Sequence, residues 1–155
     1  MKKEIRKLHE SFLNAFRGLA LCIHSERNFR VHMVAALYVT LFALIGRATT
    51  AEGAILCICF GLTMGAELMN TAIERLCDKQ TSGYDQMVRN AKDIAAAAVF
   101  VCAAACAIIG LVLFLGEGLL SEALAYLGTR PWAAGAVVVS VPFALLFIFK
   151  YGRIQ

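Results

Sequence analysis

Proline, tryptophan and charge are all scarce here: 155 residues hold two prolines, one tryptophan and only 17% Asp, Glu, Lys and Arg. Soluble domains average about 25% charge. So little charge excludes a disordered chain, which stays solvated through polarity and charge. The 12 glycines follow no Gly-x-y repeat, which excludes a collagen-like chain. Six cysteines (Cys22, Cys57, Cys59, Cys77, Cys102 and Cys106) form no Cys-x-x-Cys pair, and no histidine stands at zinc-finger spacing from them. Most lie in apolar runs, where a free cysteine behaves as a small hydrophobe. There is no Gly-xxxx-Gly-Lys-Ser/Thr loop, so phosphate binding by a P-loop is excluded. Residues 1–11 are mostly polar and the next apolar stretch is broken by Asn14 and Arg17. That pattern does not match a secretory signal peptide.

Apolar residues make up 60% of the chain, and the mean hydropathy is +0.71. A soluble globule of 16.8 kDa has too little interior to hide this much apolar surface. The composition therefore reads as an all-α integral membrane protein with one compact membrane domain.

Leu8, Phe12, Ala15, Phe16, Leu19 and Ile23 recur at three- and four-residue steps. With Lys2, Lys3, Arg6 and Lys7 at its start, residues 3–25 form an amphipathic helix suited to lie on the membrane surface. A bilayer core takes about 20 helical residues to cross. Four segments meet that length: residues 28–46, 50–78, 90–116 and 131–149. Thr49 and Glu52 open the second as a capping box, Thr81-Ser82-Gly83 is a turn, and Gly116-Glu117-Gly118 closes the third. Pro131 sits in the first turn of the fourth, and Pro142 is expected to kink it. With four spans, 13 of the 15 Lys and Arg fall on one side, Lys150 and Arg153 among them, and only Arg47 and Arg130 on the other. Cytoplasmic loops are the basic ones, so both termini are expected in the cytoplasm. A three-span alternative lays the last apolar run along the membrane. The basic residues flank spans and carry no interleaved aromatics, so they read as lipid anchors and argue against nucleic acid.

Chemistry concentrates in Glu67-Leu-Met-Asn70-Thr-Ala-Ile-Glu74-Arg-Leu-Cys-Asp78. At about 100° per residue, Glu67, Asn70, Glu74 and Asp78 share one helical face. Counting about 1.5 Å per residue from Glu52 puts Glu67 roughly 22 Å along the span, just inside the cytoplasmic edge of the hydrocarbon. A stripe of this kind can simply fix helix packing. Three carboxylates on one face repel each other, however, and call for a cation. Hard oxygen ligands beside phosphate suit Mg²⁺. Glu26 precedes the first span and Lys92-Asp93 opens the third, where they serve either as interfacial anchors or as an extra metal ligand and a phosphate contact. Gly61-xxx-Gly65 is a close helix-packing face.

Three ordered motifs, Ser25-Glu26-Arg27-Asn28-Phe29-Arg30-Val31-His32, Glu67-xx-Asn70-Thr-Ala-Ile-Glu74-xxx-Asp78 and Ala91-Lys92-Asp93-Ile-Ala-Ala-Ala-Ala-Val99, resemble the prokaryotic diacylglycerol kinase / undecaprenol kinase family over roughly residues 5 to 116. The Glu-Arg-Asn-Phe-Arg wording is closer to the Gram-positive undecaprenol kinase branch. The resemblance implies a surface helix and three spans in a homotrimer, with active sites shared between subunits at the cytoplasmic face of a bacterial plasma membrane. It implies a kinase that uses MgATP to phosphorylate a lipid alcohol, with undecaprenol as substrate and diacylglycerol as the alternative. Carried onto matching positions, Glu67 is the catalytic base and Glu26 and Glu74 hold Mg²⁺. Asn70, Asp78, Lys92 and Asp93 complete the site, and Asn14, Tyr84 and Asp85 fall where nucleotide contacts are expected. Residues 1–116 would then be the kinase domain. Residues 117–155, with the fourth span, are an extension that typical members lack. A small four-span proton-coupled transporter is the alternative from another class; it calls for one isolated carboxylate near mid-membrane.

Overall fold

The computed structural model describes residues 2–80 and 83–151. The expected turn at Thr81-Ser82 and the basic residue Arg153 lie outside that range. Six helices follow in order: α1 (Lys2–Ser25), α2 (Arg27–Ile45), α3 (Thr50–Gln80), α4 (Gln86–Leu111), α5 (Leu119–Gly128) and α6 (Pro131–Lys150). A π-helical turn, Val112–Gly116, prolongs α4. No strand occurs among the described residues. The helices α2, α3, α4 with its π turn, and α6 are each long and apolar enough to cross a bilayer. The protein is therefore an all-α, multi-pass membrane protein.

Local chemistry sets the helix boundaries. The capping box forms: the Thr49 amide and hydroxyl donate to Glu52 Oε2 at 2.6 and 2.7 Å, and the Glu52 amide donates to Thr49 Oγ1 at 3.3 Å. Asp85 caps α4 by accepting from the amides of Met87 and Val88. Gly118 precedes α5 as its N-cap in the left-handed region at φ 81°, a conformation open to glycine at no steric cost. Helix α6 begins at Pro131 and continues through Pro142.

The α2–α3 turn departs from the usual glycine pattern. The Ala48 amide bonds the Ala43 carbonyl at 2.8 Å and the Arg47 amide bonds that of Leu44 at 3.2 Å. This is a Schellman closure, in which the residue past the cap goes left-handed. Here that residue is Arg47 (φ 58°), not the neighbouring Gly46. Gly46 is needed for another reason. A Cβ there would stand 2.4 Å from the carbonyl oxygen of Leu119, where α5 crosses the turn.

Helix α5 is a difference from the sequence, whose pattern predicts no helix over residues 117–130. Ten residues are too few to span, but they bury Leu119 and Ala123. Leu119 joins Ala43, Leu56 and Leu113 in the apolar core at the end of the bundle away from the carboxylates.

Helix α6 runs antiparallel to α2. Tyr38 and Ser140 share a 2.7 Å hydrogen bond between their hydroxyls, and eight residues further along each helix Arg30 Nε donates to the Ile148 carbonyl at 3.1 Å. Interhelical hydrogen bonds of this kind contribute about 0.6 kcal/mol in a membrane. The end of α6 therefore lies beside the α1–α2 corner. Most large apolar side chains on the spans face outward, such as Leu37, Phe100 and Phe143. A lipid-facing bundle has this character.

Candidate active site at the membrane edge

Helix α3 has 31 residues, roughly 46 Å at 1.5 Å per residue. A hydrocarbon core is only about 30 Å thick. With Thr50 at one edge, the other edge falls near Asn70. Glu67 then lies just inside the apolar layer, and Glu74 and Asp78 lie in the headgroup region beyond it.

Glu67 is buried, at 3% exposure. Its Oε1 is 3.4 Å from Nε2 of His32 on α2. Glu74 lies two turns further along the same helix, and Glu26 is held near it because the neighbours of the two, Ser25 and Arg75, are hydrogen-bonded. Glu26 is the single residue between α1 and α2, and its side chain makes no capping bond to α2. Glu74, one helical turn past Asn70, accepts a 2.9 Å bond from the Asn70 amide nitrogen. The other end of that amide, Asn70 Oδ1, is buried without a hydrogen-bond partner. The group thus draws on two places in the chain, Glu67, Asn70 and Glu74 from α3 and Glu26 from the α1–α2 corner.

Two further bonds steady the corner. Arg75 Nη2 donates to Ser25 Oγ at 2.8 Å, tying α3 to the end of α1. The Thr71 hydroxyl returns to the Glu67 carbonyl at 2.9 Å. Thr71 is itself buried, as is Cys22 across from it on α1.

A second polar group lies where α3 and α4 leave the membrane. Lys92 pairs with Asp78 across the two helices. A cleft of about 350 Å³ opens beside this pair, lined also by Tyr84, Asp85, Val88 and Arg89. Asp85 is engaged as the α4 cap, and the Tyr84 hydroxyl bonds Gln86.

Other residues singled out in the sequence stay apart from the Glu67 group. Asp93 is exposed and faces Arg89 at 3.9 Å. Asn14 is exposed on α1, where it accepts a long 3.5 Å bond from Arg17. His32 and Arg30, by contrast, were not counted as site residues in the sequence. An ionisable side chain inside an apolar run is the signal that marks both.

The donor set can be tested against a metal ion. No group of three or more His, Cys, Asp or Glu among the described residues is placed to hold one alone. Mg²⁺ does not ask for such a cage, because it typically takes one or two carboxylates and completes its shell with waters and phosphate oxygens. Glu26 and Glu74 supply that number. The orphaned Asn70 Oδ1 is one more hard oxygen in need of a partner. The residues present fit the ion.

Comparison with known proteins bears on this arrangement. Residues 13–114 match the family described as prokaryotic diacylglycerol kinase. The undecaprenol kinase of Bacillus subtilis is 36% identical over 114 residues, covering 74% of this chain and 93% of its own length. A diacylglycerol kinase of Synechocystis is 33% identical over 123 residues, covering 74% of this chain and 70% of its own. No solved structure matches. On these grounds the chain belongs to the prokaryotic diacylglycerol kinase family and is a lipid kinase, a phosphotransferase embedded in the membrane.

Proposed function

We propose that the protein transfers the γ-phosphoryl group of ATP to the hydroxyl of undecaprenol, giving undecaprenyl phosphate at the cytoplasmic face of the membrane. Glu67 carries the reading: it is a buried carboxylate at the hydrocarbon edge, the depth at which a lipid hydroxyl can be reached while its tail remains in the bilayer. The B. subtilis relative, matched over nearly its whole length, supports undecaprenol over diacylglycerol.

In this reading Glu67 accepts the hydroxyl proton as the lipid oxygen bonds to phosphorus and ADP departs. Glu26 and Glu74 hold Mg²⁺, and Asn70 keeps Glu74 aimed. The ion, when bound, neutralises phosphate charge, which is most of what phosphoryl transfer asks of a catalyst. Lys92 takes a phosphate oxygen, with Asp78 orienting its ammonium. Tyr84, Asp85, Asp93 and Asn14 do not converge on Glu67 within one chain. A homotrimer with sites shared between subunits would supply them from a neighbouring copy. The excess of basic residues on one side supports a cytoplasmic place for both termini.

The test is transfer of label from ATP in detergent micelles or vesicles, with Mg²⁺ and either lipid alcohol. Undecaprenol is expected to be labelled, and Glu67→Gln and Glu74→Gln are each expected to abolish the product. A preference for diacylglycerol would replace the substrate and keep the site. Full activity in Glu67→Gln would remove the base.

A further inference from the structure

Arg30 is buried at 5% exposure, and no carboxylate among the described residues pairs with it. A buried charge left uncompensated is costly. Its guanidinium instead donates to three main-chain carbonyls: Nη1 to Ile23 at 2.8 Å and His24 at 3.1 Å, and Nε to Ile148 at 3.1 Å. Ile23 and His24 lie in the last turn of α1, and Ile148 lies in the last turn of α6. The final four carbonyls of a helix have no partner within it, and they carry the negative end of its dipole. One guanidinium therefore closes the C-terminal ends of two helices at once.

Glu26 sits at the same corner. Its amide closes on the Cys22 carbonyl at 2.8 Å, so its place depends on where α1 stops and α2 starts. Arg30 fixes that relation from one side and is itself shared with α6. The end of α6 adds a second contact, with the Tyr151 ring stacked on His24 at 4.9 Å. Together they enclose a polar cleft of about 440 Å³, lined by Glu26, Arg27, Asn28, Phe149 and Tyr151.

We propose that the C-terminal helix α6 is a working part of the kinase site: by sharing Arg30 with the end of α1, its docking positions Glu26 for the metal ion. Arg30 is a positioning residue in this scheme. The inference rests on the reading of Glu26 as a metal ligand.

The experiment measures Mn²⁺ affinity by electron paramagnetic resonance on the purified full chain with a non-hydrolysable ATP analogue and no lipid. Four proteins are compared: the parent, Glu26→Gln, Arg30→Lys, and a Ser140→Ala/Tyr151→Ala pair confined to α6 and the residue that caps it. Glu26→Gln is expected to weaken Mn²⁺ binding. Arg30→Lys keeps the charge but loses the fork that spans two helix ends, and is expected to weaken it about tenfold, the scale of a lost charged hydrogen bond. The α6 pair is expected to weaken it about threefold, in line with losing the Tyr38–Ser140 hydrogen bond, the long 3.4 Å bond between Tyr151 and His24, and their ring contact. Parent-like affinity in the α6 pair, with Glu26→Gln still weak, overturns the coupling and leaves Glu26 as a ligand. Parent-like affinity in Glu26→Gln overturns the ligand reading and the coupling with it.

Discussion

His32 Nε2 stands 3.4 Å from Oε1 of Glu67, and both side chains are largely withdrawn from the chain's surface. The imidazole is the one side-chain partner seen for that carboxylate among the described residues. It also lines an apolar groove of about 610 Å³ between α2, α3 and α4, with Phe60 and Cys106 among the walls. His32→Leu keeps the volume and removes the partner. A buried polar group left alone costs about 1–3 kcal/mol, so turnover is expected to fall about tenfold or more, with a smaller change in the Michaelis constant for ATP. His32→Gln, which can still donate, is expected to recover part of the loss. Steady-state kinetics of the two variants check this, and equal turnover in His32→Leu and the parent would show that the contact does not act on the base.

Asn70 makes a different kind of contribution. Its amide nitrogen holds Glu74 at 2.9 Å while its oxygen is left without a partner. Asn70→Ala frees the Glu74 carboxylate and is expected to raise the Mg²⁺ concentration for half-maximal activity about tenfold, the scale of a hydrogen bond to a charged group. Asn70→Asp places two carboxylates at i, i+4, where like charges repel. It is expected to be less active than the parent at low Mg²⁺ and to recover as Mg²⁺ is raised. A Mg²⁺ titration of transfer activity distinguishes the three proteins.

The ion pair between Lys92 and Asp78 separates structure from chemistry. Asp78 is two-thirds exposed, and exposed pairs contribute about 0–1 kcal/mol to stability. Lys92→Ala is therefore expected to melt within a few degrees of the parent while losing most activity, if the ammonium meets a phosphate. Exchanging the two residues restores the pair but moves the positive charge onto α3. The exchanged protein is expected to fold and to stay inactive. Restored transfer in it would reduce Lys92 to a structural partner.

The spans, the capping box at Thr49 and the carboxylate stripe were legible in the sequence, because each rests on spacing within one helix. Glu67, Asn70 and Glu74 share a face for the same reason that Thr49 meets Glu52: a fixed number of residues per turn. Relations between helices were not legible. Nothing in the chain order announces that His32 meets a residue 35 positions on, or that Arg30 reaches Ile148 across 118 positions. The short helix α5 also escaped, since ten residues carry too little periodicity to distinguish a surface helix from a loop. Asp93 and Asn14 show the reverse limit: the sequence singles both out for the site, yet each meets an arginine on its own helix, Arg89 and Arg17, and not the Glu67 group.

Gly46 and Arg47 give a prediction that depends on this difference. A sequence reading assigns the left-handed position at a helix end to glycine. Here Gly46 has φ −75° and Arg47 carries the positive φ. The left-handed conformation costs a residue with a Cβ roughly 1–2 kcal/mol. Arg47→Gly removes that cost, although glycine also gives the unfolded chain more freedom, so a net gain of about 0.5 kcal/mol is expected. Gly46→Ala has the opposite effect despite its ordinary backbone angles, because its Cβ would meet the Leu119 carbonyl at 2.4 Å and a main-chain atom of α5 cannot yield as a side chain does. Overpacking of this kind typically costs about 1–3 kcal/mol. Thermal melting in detergent should rank Arg47→Gly at or above the parent and Gly46→Ala clearly below it. The reverse ranking would mean that α5 does not rest on the α2–α3 turn. Both positions lie at the end of the bundle away from Glu67, so transfer activity below the melting transition is expected to stay near the parent's in each.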